Sequence, residues 1–236
     1  DGLRALEDKV APGLSGLEFI AHGTTVNTNA IIQRKGAKAA LLTTKGFRDV
    51  LEIGRQIRPG AYDFFSERPA PLVPRSLRAE VAERIASDGS VVTPISEPGL
   101  LEAAKFFREH RVDAVAICFL NSYANPAHEL EAKRILNREL PGVYIAISAE
   151  VSREFREFER TSTVVADAYV GPLFISYLDR LESELKAMLG ESGRLVIMHS
   201  GGGLMSVDRA RHRPHTTIES GPAAGVMAAA GLGVWG

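Results

Sequence analysis

Two short segments, His22-Gly-Thr-Thr-Val-Asn-Thr-Asn-Ala30 and Ser220-Gly-Pro-Ala-Ala-Gly-Val226, gather hydroxyl, amide, imidazole and glycine residues where an apolar strand-like run gives way to a helix. In an open α/β sheet such junctions present free backbone N–H groups to a ligand. In the first, His22 ends the strand and Gly23 permits close backbone approach. Thr24, Thr25, Thr28 and Asn29 then surround a helix N-terminus with groups suited to an anionic or carbonyl-bearing ligand. The plainer alternative is that one threonine caps the helix and His22 is a half-buried imidazole with a satisfied partner. The density of the cluster favours a site. In the second segment, Ser220 suits an N-cap and Pro222 a first helical residue. Gly221, Ala224, Gly225, Ala228 and Gly231 make a small-residue stripe that would let another helix lie close. We read that stripe as packing, with Ser220 and Gly221 still able to face a cleft.

Three further groups are candidates. Ser200 and Gly201, in His199-Ser200-Gly-Gly-Gly203, follow a strand, and the glycines suit either an anion-binding nest or a simple turn. This is not a nucleophile elbow, because Ser200 lacks a glycine on its N-terminal side. Arg153, Arg156, Glu157, Glu159 and Arg160 form a charged run of the kind that usually faces water; only Glu159 and Arg160, which adjoin Thr161, are kept as site candidates. Arg55 and Arg58 follow an expected helix end and suit bidentate carboxylate binding, surface exposure being the default for arginine. The sequence has no Gly-x-x-x-x-Gly-Lys-Ser/Thr loop, no Gly-x-Gly-x-x-Gly after a strand, and no zincin or paired-cysteine metal spacing.

The elements that must position these groups alternate. Leu17 to Ala21 reads as a strand, Val26 to Arg34 as a helix closed by Lys35-Gly36, and Ala39 to Thr43 as the next strand. Leu100, Ala103, Ala104 and Phe107 fall at helical spacing before the apolar run Val112 to Leu120. Asn125-Pro126 opens a helix that buries Ala132, Ile135, Leu136 and Leu140, and Val143 to Ile147 is a further strand. Such alternation predicts an α/β fold with a largely parallel or mixed sheet flanked by helices. Arg58 to Arg84, rich in proline and aromatic residues, reads as an inserted excursion. Thr161 to Leu189 reads as one long helix, roughly 40 Å at about 1.5 Å per residue, with Leu178, Leu181, Leu185 and Met188 on one face and a kink at Gly171-Pro172. Leu195 to Met198 is the strand before the glycines.

Composition bounds the function. The 236 residues are 45% hydrophobic with a net charge of −1, enough for a full core and without the cationic excess that nucleic acid or an anionic membrane attracts. No apolar run approaches the roughly 20 residues of a spanning helix and no signal peptide is evident, so we expect a soluble cytoplasmic protein. Cys118 lies inside an apolar run and reads as an inert buried thiol. Asp1 to Leu6 resembles the middle of a helix and Gly231 to Gly236 stops as another strand would begin, so we expect a piece of a longer polypeptide.

Taken together, HGTTVNTNAIIQRKGAKAALLTTKGFRDVLEIGRQ (His22 to Gln56), NSYANPAHE (Asn121 to Glu129), EFERTSTVVADAYVGP (Glu157 to Pro172), and IMHSGGGLM followed by SGPAAGV resemble the hydantoinase A/oxoprolinase family. The resemblance covers nearly the whole chain in family order. It implies an N-terminal family region over residues 1–160 and the start of a second domain over 161–236. The implied fold is actin-like, ribonuclease H-like lobes holding ATP and Mg2+ between them, with the Ser220 helix connecting the lobes. The aspartate- and glycine-rich phosphate loops expected before Asp1 and after Gly233 are absent, and His199 and Gly202 stand where glutamine and asparagine are usual. ATP-dependent activity is therefore expected of the complete protein, and the metal ligands are not assigned.

The resemblance implies a reaction. Resonance makes a cyclic amide a poor electrophile, and transfer of a γ-phosphoryl group to the amide oxygen would open its carbon to water. His22, Thr24, Thr25 and Asn29 are the catalytic candidates for placing that oxygen, with His22 also able to move a proton. Thr28, Arg55, Glu159, Arg160, Ser200 and Gly201 are candidates for the substrate, and Ser220 and Gly221 for the nucleotide. The alternatives are an ATP-dependent ketone carboxylase subunit and a truncated, non-catalytic module. A hydantoinase B-type subunit or domain is the expected partner, with self-association possible and neither nucleic acid nor membrane involved.

Overall fold

The computed structural model describes residues 19–57, 60, 62, 63, 65, 66, 68–189 and 194–233. The chain divides into two compact units, one formed by residues 33–172 and the other by residues 1–32 together with 173–236.

The contiguous unit is built on a parallel sheet ordered β3-β2-β6-β7, with β2 at Ala39–Thr44, β3 at Arg78–Val81, β6 at Ala114–Cys118 and β7 at Tyr144–Ile147. Ala39 pairs with Ala114, Leu41 with Arg78 and Ala114 with Tyr144. Every residue of β2 and β6 is buried, which is why these segments read as continuous apolar runs and not as alternation. Helix α3 (Glu97–Glu109) buries Leu100, Ala103, Ala104 and Phe107, and the Ser96 hydroxyl caps it by accepting from the Gly99 N–H at 3.2 Å. Helix α4 (Ala127–Glu139) buries Ala132, Ile135 and Leu136, with the Asn125 side chain accepting from the Ala127 N–H. A short helix α2 (Val50–Ile53) follows β2, and Arg84–Ile85 (β4) pairs antiparallel with Val91–Thr93 (β5). Helix α5 is Ser148–Val151.

The discontinuous unit holds the sheet β1-β8-β9, made of Phe19–His22 (β1), Arg194–Met198 (β8) and Leu204–Ser206 (β9). Strand β1 runs parallel to β8, placing His22 opposite Ile197, and β9 returns antiparallel. Its core is Phe174, Leu178, Ile197, Val207 and Ala210, with Tyr177, Leu195 and Met205 packed against it. Helix α1 is Val26–Ile32. Helix α6, Glu157–Leu189, gives its residues through Pro172 to the contiguous unit and those from Leu173 to the other. Helices α7 (Val207–His212) and α8 (Ser220–Gly233) close the chain.

Several boundaries differ from the sequence reading. Strand β1 includes His22, while Leu17 lies outside the described residues. Helix α1 ends at Ile32, and Arg34 adopts a left-handed φ of 55°. The presumed excursion supplies strand β3. Its start is disguised because Arg78 is buried at a strand position, with its guanidinium bonded to the Val73 carbonyl and to Glu52 Oε1 at 2.8 Å; Arg58, Pro59 and Phe64 lie outside the described residues. Helix α6 begins at Glu157 and runs through Pro172, so Glu157, Glu159 and Arg160 of the charged run form its first turn, where the two carboxylates meet the positive end of the helix dipole, while Arg153 and Arg156 precede it.

Candidate functional site

In the discontinuous unit the β1–α1 turn and the start of α8 interlock through glycines. A Cβ on Gly23 would lie 2.8 Å from Ala224 Cβ and 3.2 Å from the Ser220 carbonyl oxygen, and one on Gly221 would lie 2.5 Å from Thr25 Cγ2. The stripe therefore packs first against a turn and not a helix, and Gly225 has nothing within 4 Å of a Cβ. Ser220 is fully buried and does not act as an N-cap. Its hydroxyl donates to the Thr24 carbonyl at 3.0 Å and accepts from the Thr24 N–H at 3.2 Å, so its polar atom is spent on the turn.

The predicted cluster separates into supports and free groups. Thr24 is buried, and its hydroxyl accepts from the Val26 N–H at 3.2 Å. Thr28 donates to the Ile218 carbonyl. Asn27, which the sequence reading did not single out, is wholly buried, and its amide donates to Thr217 Oγ1 at 2.7 Å and to the Pro214 carbonyl at 3.2 Å. Thr25 and Asn29 face outward, joined by a 3.3 Å hydrogen bond one helical turn apart. His22 is half-buried. Its Nε2 is 2.6 Å from the Tyr177 hydroxyl, with the rings stacked at 5.8 Å between centroids. Burial holds the His22 pKa below 6.5, so the ring is neutral near pH 7.

The glycine loop is a turn. Gly202 sits at φ 81°, its N–H bonds the His199 carbonyl at 2.9 Å, and the Gly201 N–H bonds His199 Nδ1 at 3.0 Å. The Ser200 hydroxyl donates to the Thr216 carbonyl at 2.8 Å and accepts from the Glu219 N–H at 3.0 Å, tying the loop to the start of α8.

In the contiguous unit Arg55 and Glu159 form an ion pair at the edge of a groove of about 640 Å³ lined also by Phe47, Ile53, Arg156 and Phe158. The Arg55 hydrogen bond holds the Glu159 carboxyl below the usual carboxylate range. Arg160, its sequence neighbour, is buried. Its Nη2 donates to the Phe119 carbonyl at 2.6 Å and its guanidinium lies 5.3 Å from the Tyr123 ring centroid, while Nε and Nη1 have no partner among the described residues. Arg58 lies outside the described residues.

The β3-β2-β6-β7 order places a direction change between β2 and β6, the position where open sheets accept ligands beyond their carboxyl ends. Here the chain's own side chains fill that region. Thr44 donates to the buried Glu83, which bonds His128 at 2.7 Å, and the Thr44 hydroxyl accepts from the Leu120 N–H at 3.0 Å. The described residues do not supply a set that fits ATP with Mg2+. No group of three or more His, Cys, Asp or Glu among them stands where it could hold a metal ion, and the glycine-turn N–H groups described above are already bonded. Among the described residues no helix is long and apolar enough to cross a membrane.

Comparison with known proteins adds a second kind of observation. Residues 1–140 match the hydantoinase/oxoprolinase N-terminal region and residues 160–234 match the hydantoinase/oxoprolinase domain. The chain is 42% identical over 217 residues to an uncharacterized protein of Methanocaldococcus jannaschii, covering 91% of this chain and 32% of that protein. It is 38% identical over 236 residues to caprolactamase subunit alpha of Pseudomonas jessenii, covering 97% of this chain and 34% of the subunit. The solved structure of the ATP-dependent caprolactamase from that organism superposes with a TM-score of 0.82 at 32% identity, over 98% of this chain and 36% of that one. Nucleotide-free acetone carboxylase superposes with a TM-score of 0.84 at 26% identity, over 94% of this chain and 32% of that one. The chain thus spans about a third of the length of these relatives.

Proposed function

Because this chain belongs to the hydantoinase/oxoprolinase family, we propose that the whole protein opens a cyclic amide of hydantoin or 5-oxoproline type with water in an ATP-dependent reaction. ATP supplies the activation that an amide carbonyl lacks. The part of this chain is to orient the carbonyl oxygen and to stabilise the charge that gathers on it. The observation that carries the reading is the half-buried His22 at the end of β1, with Nε2 2.6 Å from the Tyr177 hydroxyl and with the exposed Thr25 and Asn29 following in the next turn and helix. A fixed donor in a partly dry setting is worth more to a developing oxyanion than one that must reorganise with solvent. Thr24, Thr28 and Ser220 serve as supports that hold this turn and helix, and Ser200 ties the glycine loop to the start of α8. Gly221 allows the close approach at the start of α8, and Gly201 shapes the neighbouring loop. In the contiguous unit, Arg55 and Glu159 are the candidates for contacting a polar substrate group and Arg160 for holding the segment behind them. The caprolactamase relative, named for a cyclic amide, supports this substrate class, and its designation as a subunit supports a partner of hydantoinase B type.

The test is full-length protein carrying His22→Ala, assayed for ADP release and ring-opened product with hydantoin, 5-oxoproline and caprolactam. Loss of one oxyanion donor should lower kcat on the order of a hundredfold, and unchanged coupled turnover would remove His22 from the chemistry. The structural likeness to acetone carboxylase favours a second reading, in which the activated group is a ketone and partner subunits carboxylate it. Product formation from a ketone only when bicarbonate is present, with no lactam opened, would establish that alternative.

A further inference from the structure

We infer that Tyr177 is the positioning residue for His22, holding Nε2 so that Nδ1 is the nitrogen that works on the substrate oxygen. The inference rests on the reading of His22 given above and adds a residue that no sequence motif marks. Tyr177 Oη lies 2.6 Å from His22 Nε2, a short hydrogen bond between residues 155 apart in the chain. The two rings are inclined by 30° with centroids 5.8 Å apart, so the contact fixes the plane of the imidazole as well as one of its atoms. Tyr177 is itself held. Its ring stacks on Phe174 at 6.5 Å and 21°, and Phe174 is wholly buried in the core with Leu178 and Ile197. His22 is pinned from the other side by its register opposite Ile197. Both partners of the hydrogen bond therefore stand on the same small core.

The chemistry follows from proton inventory. A neutral imidazole has one donor nitrogen and one acceptor nitrogen, and whatever occupies one fixes the role of the other. A phenol, with a pKa near 10, is a far stronger acid than a neutral imidazole N–H, so Tyr177 donates and Nε2 accepts. The ring proton then resides on Nδ1, which makes no hydrogen bond to any described residue. An N–H donor in that position suits a carbonyl oxygen gathering charge, and the same geometry without the phenol would leave the tautomer and the ring angle free.

The experiment uses full-length wild type, Tyr177→Phe, His22→Gln and the double variant. Diethyl pyrocarbonate acylates unprotonated imidazole, and residue-resolved mass spectrometry gives its rate at His22 with no substrate required. Tyr177→Phe should raise the rate at His22 severalfold while His199 and His212 keep theirs. An unchanged rate at His22, or a rise at all three, overturns the inference. ATP-coupled turnover of caprolactam and 5-oxoproline provides the second arm. Tyr177→Phe should lower kcat about tenfold with little change in KM, and should cost nothing further in the His22→Gln background. Equal losses in both backgrounds mark Tyr177 as merely structural and sink the proposal. Full turnover by His22→Gln sinks instead the reading of His22 as a catalytic group, and the acylation rates then decide alone whether Tyr177 holds it. If wild type turns over neither lactam, the acylation arm likewise stands as the deciding measurement.

Discussion

Glu129 is a fully buried carboxylate with three donors aimed at it. The Phe119 N–H at 2.8 Å and the Ser148 hydroxyl at 2.7 Å share one oxygen, and the Ala149 N–H takes the other at 2.8 Å. Burial nevertheless dominates and pushes its pKa above 4.5, the donors opposing that shift. The sign of the linkage follows. The folded state keeps a proton that the unfolded chain releases at about 4.5, so the stabilising contribution is complete below that pH and is lost as pH rises through the folded pKa. Glu129→Gln should remove this pH dependence and, by setting an amide donor against a backbone N–H, lower stability by about 1–3 kcal/mol. Thermal unfolding of the full-length protein followed across pH 4 to 8 checks both, and a Gln variant with an unaltered pH slope would refute the assignment. The acid itself stands in the NSYANPAHE motif and was visible as part of a pattern. Its three donors come from the residue after β6 and from the start of α5, which only the folded sheet brings together, just as no local spacing could pair His22 with Tyr177.

At the scale of elements, hydrophobic period carried most of what was legible. Strands β2, β6 and β7 and helices α3 and α4 appeared where apolar residues demanded them, because each buries one continuous run or face. Strand β3 was missed because a buried arginine occupies a place where an apolar side chain was expected. The small-residue stripe of α8 is legible in the sequence but its partner, a turn and not a helix, is not, since sequence reveals that something comes close and not what it is. The true partner yields a prediction. Gly23→Ala forces a methyl against Ala224 Cβ at 2.8 Å and the Ser220 carbonyl at 3.2 Å, backbone that cannot easily move. Overpacking of this kind costs about 1–3 kcal/mol. Adding Ala224→Gly removes the nearer clash, so the double variant should recover part of the lost melting temperature. Strict additivity of the two losses would show that the turn and the helix do not meet as described.

For the molecule as a whole, the order of residues along the chain conceals the order of construction. Strand β1 pairs with β8 across about 170 intervening residues, with Phe19 opposite Arg194, so that unit exists only when both ends of the chain are present. The stretch between them is self-contained. Its four parallel strands, the helices α3 and α4 and the first half of α6 supply most of its buried apolar residues from Ala39 to Val170. Several of its internal contacts also close within it: Tyr144 bonds Asp167 at 2.8 Å, Thr161 meets Cys118 at 3.2 Å, and Gly36 lies so near the Tyr169 ring that a Cβ would approach it to 2.2 Å. Contiguity in sequence together with a private core is the physical condition for independent folding. Residues 33–172 expressed alone should therefore unfold in one cooperative transition in urea and give dispersed amide resonances. Gly36→Ala in the same fragment should shift the midpoint downward by displacing the Tyr169 ring. A fragment that stays disordered would mean that residues outside 33–172 supply part of its core.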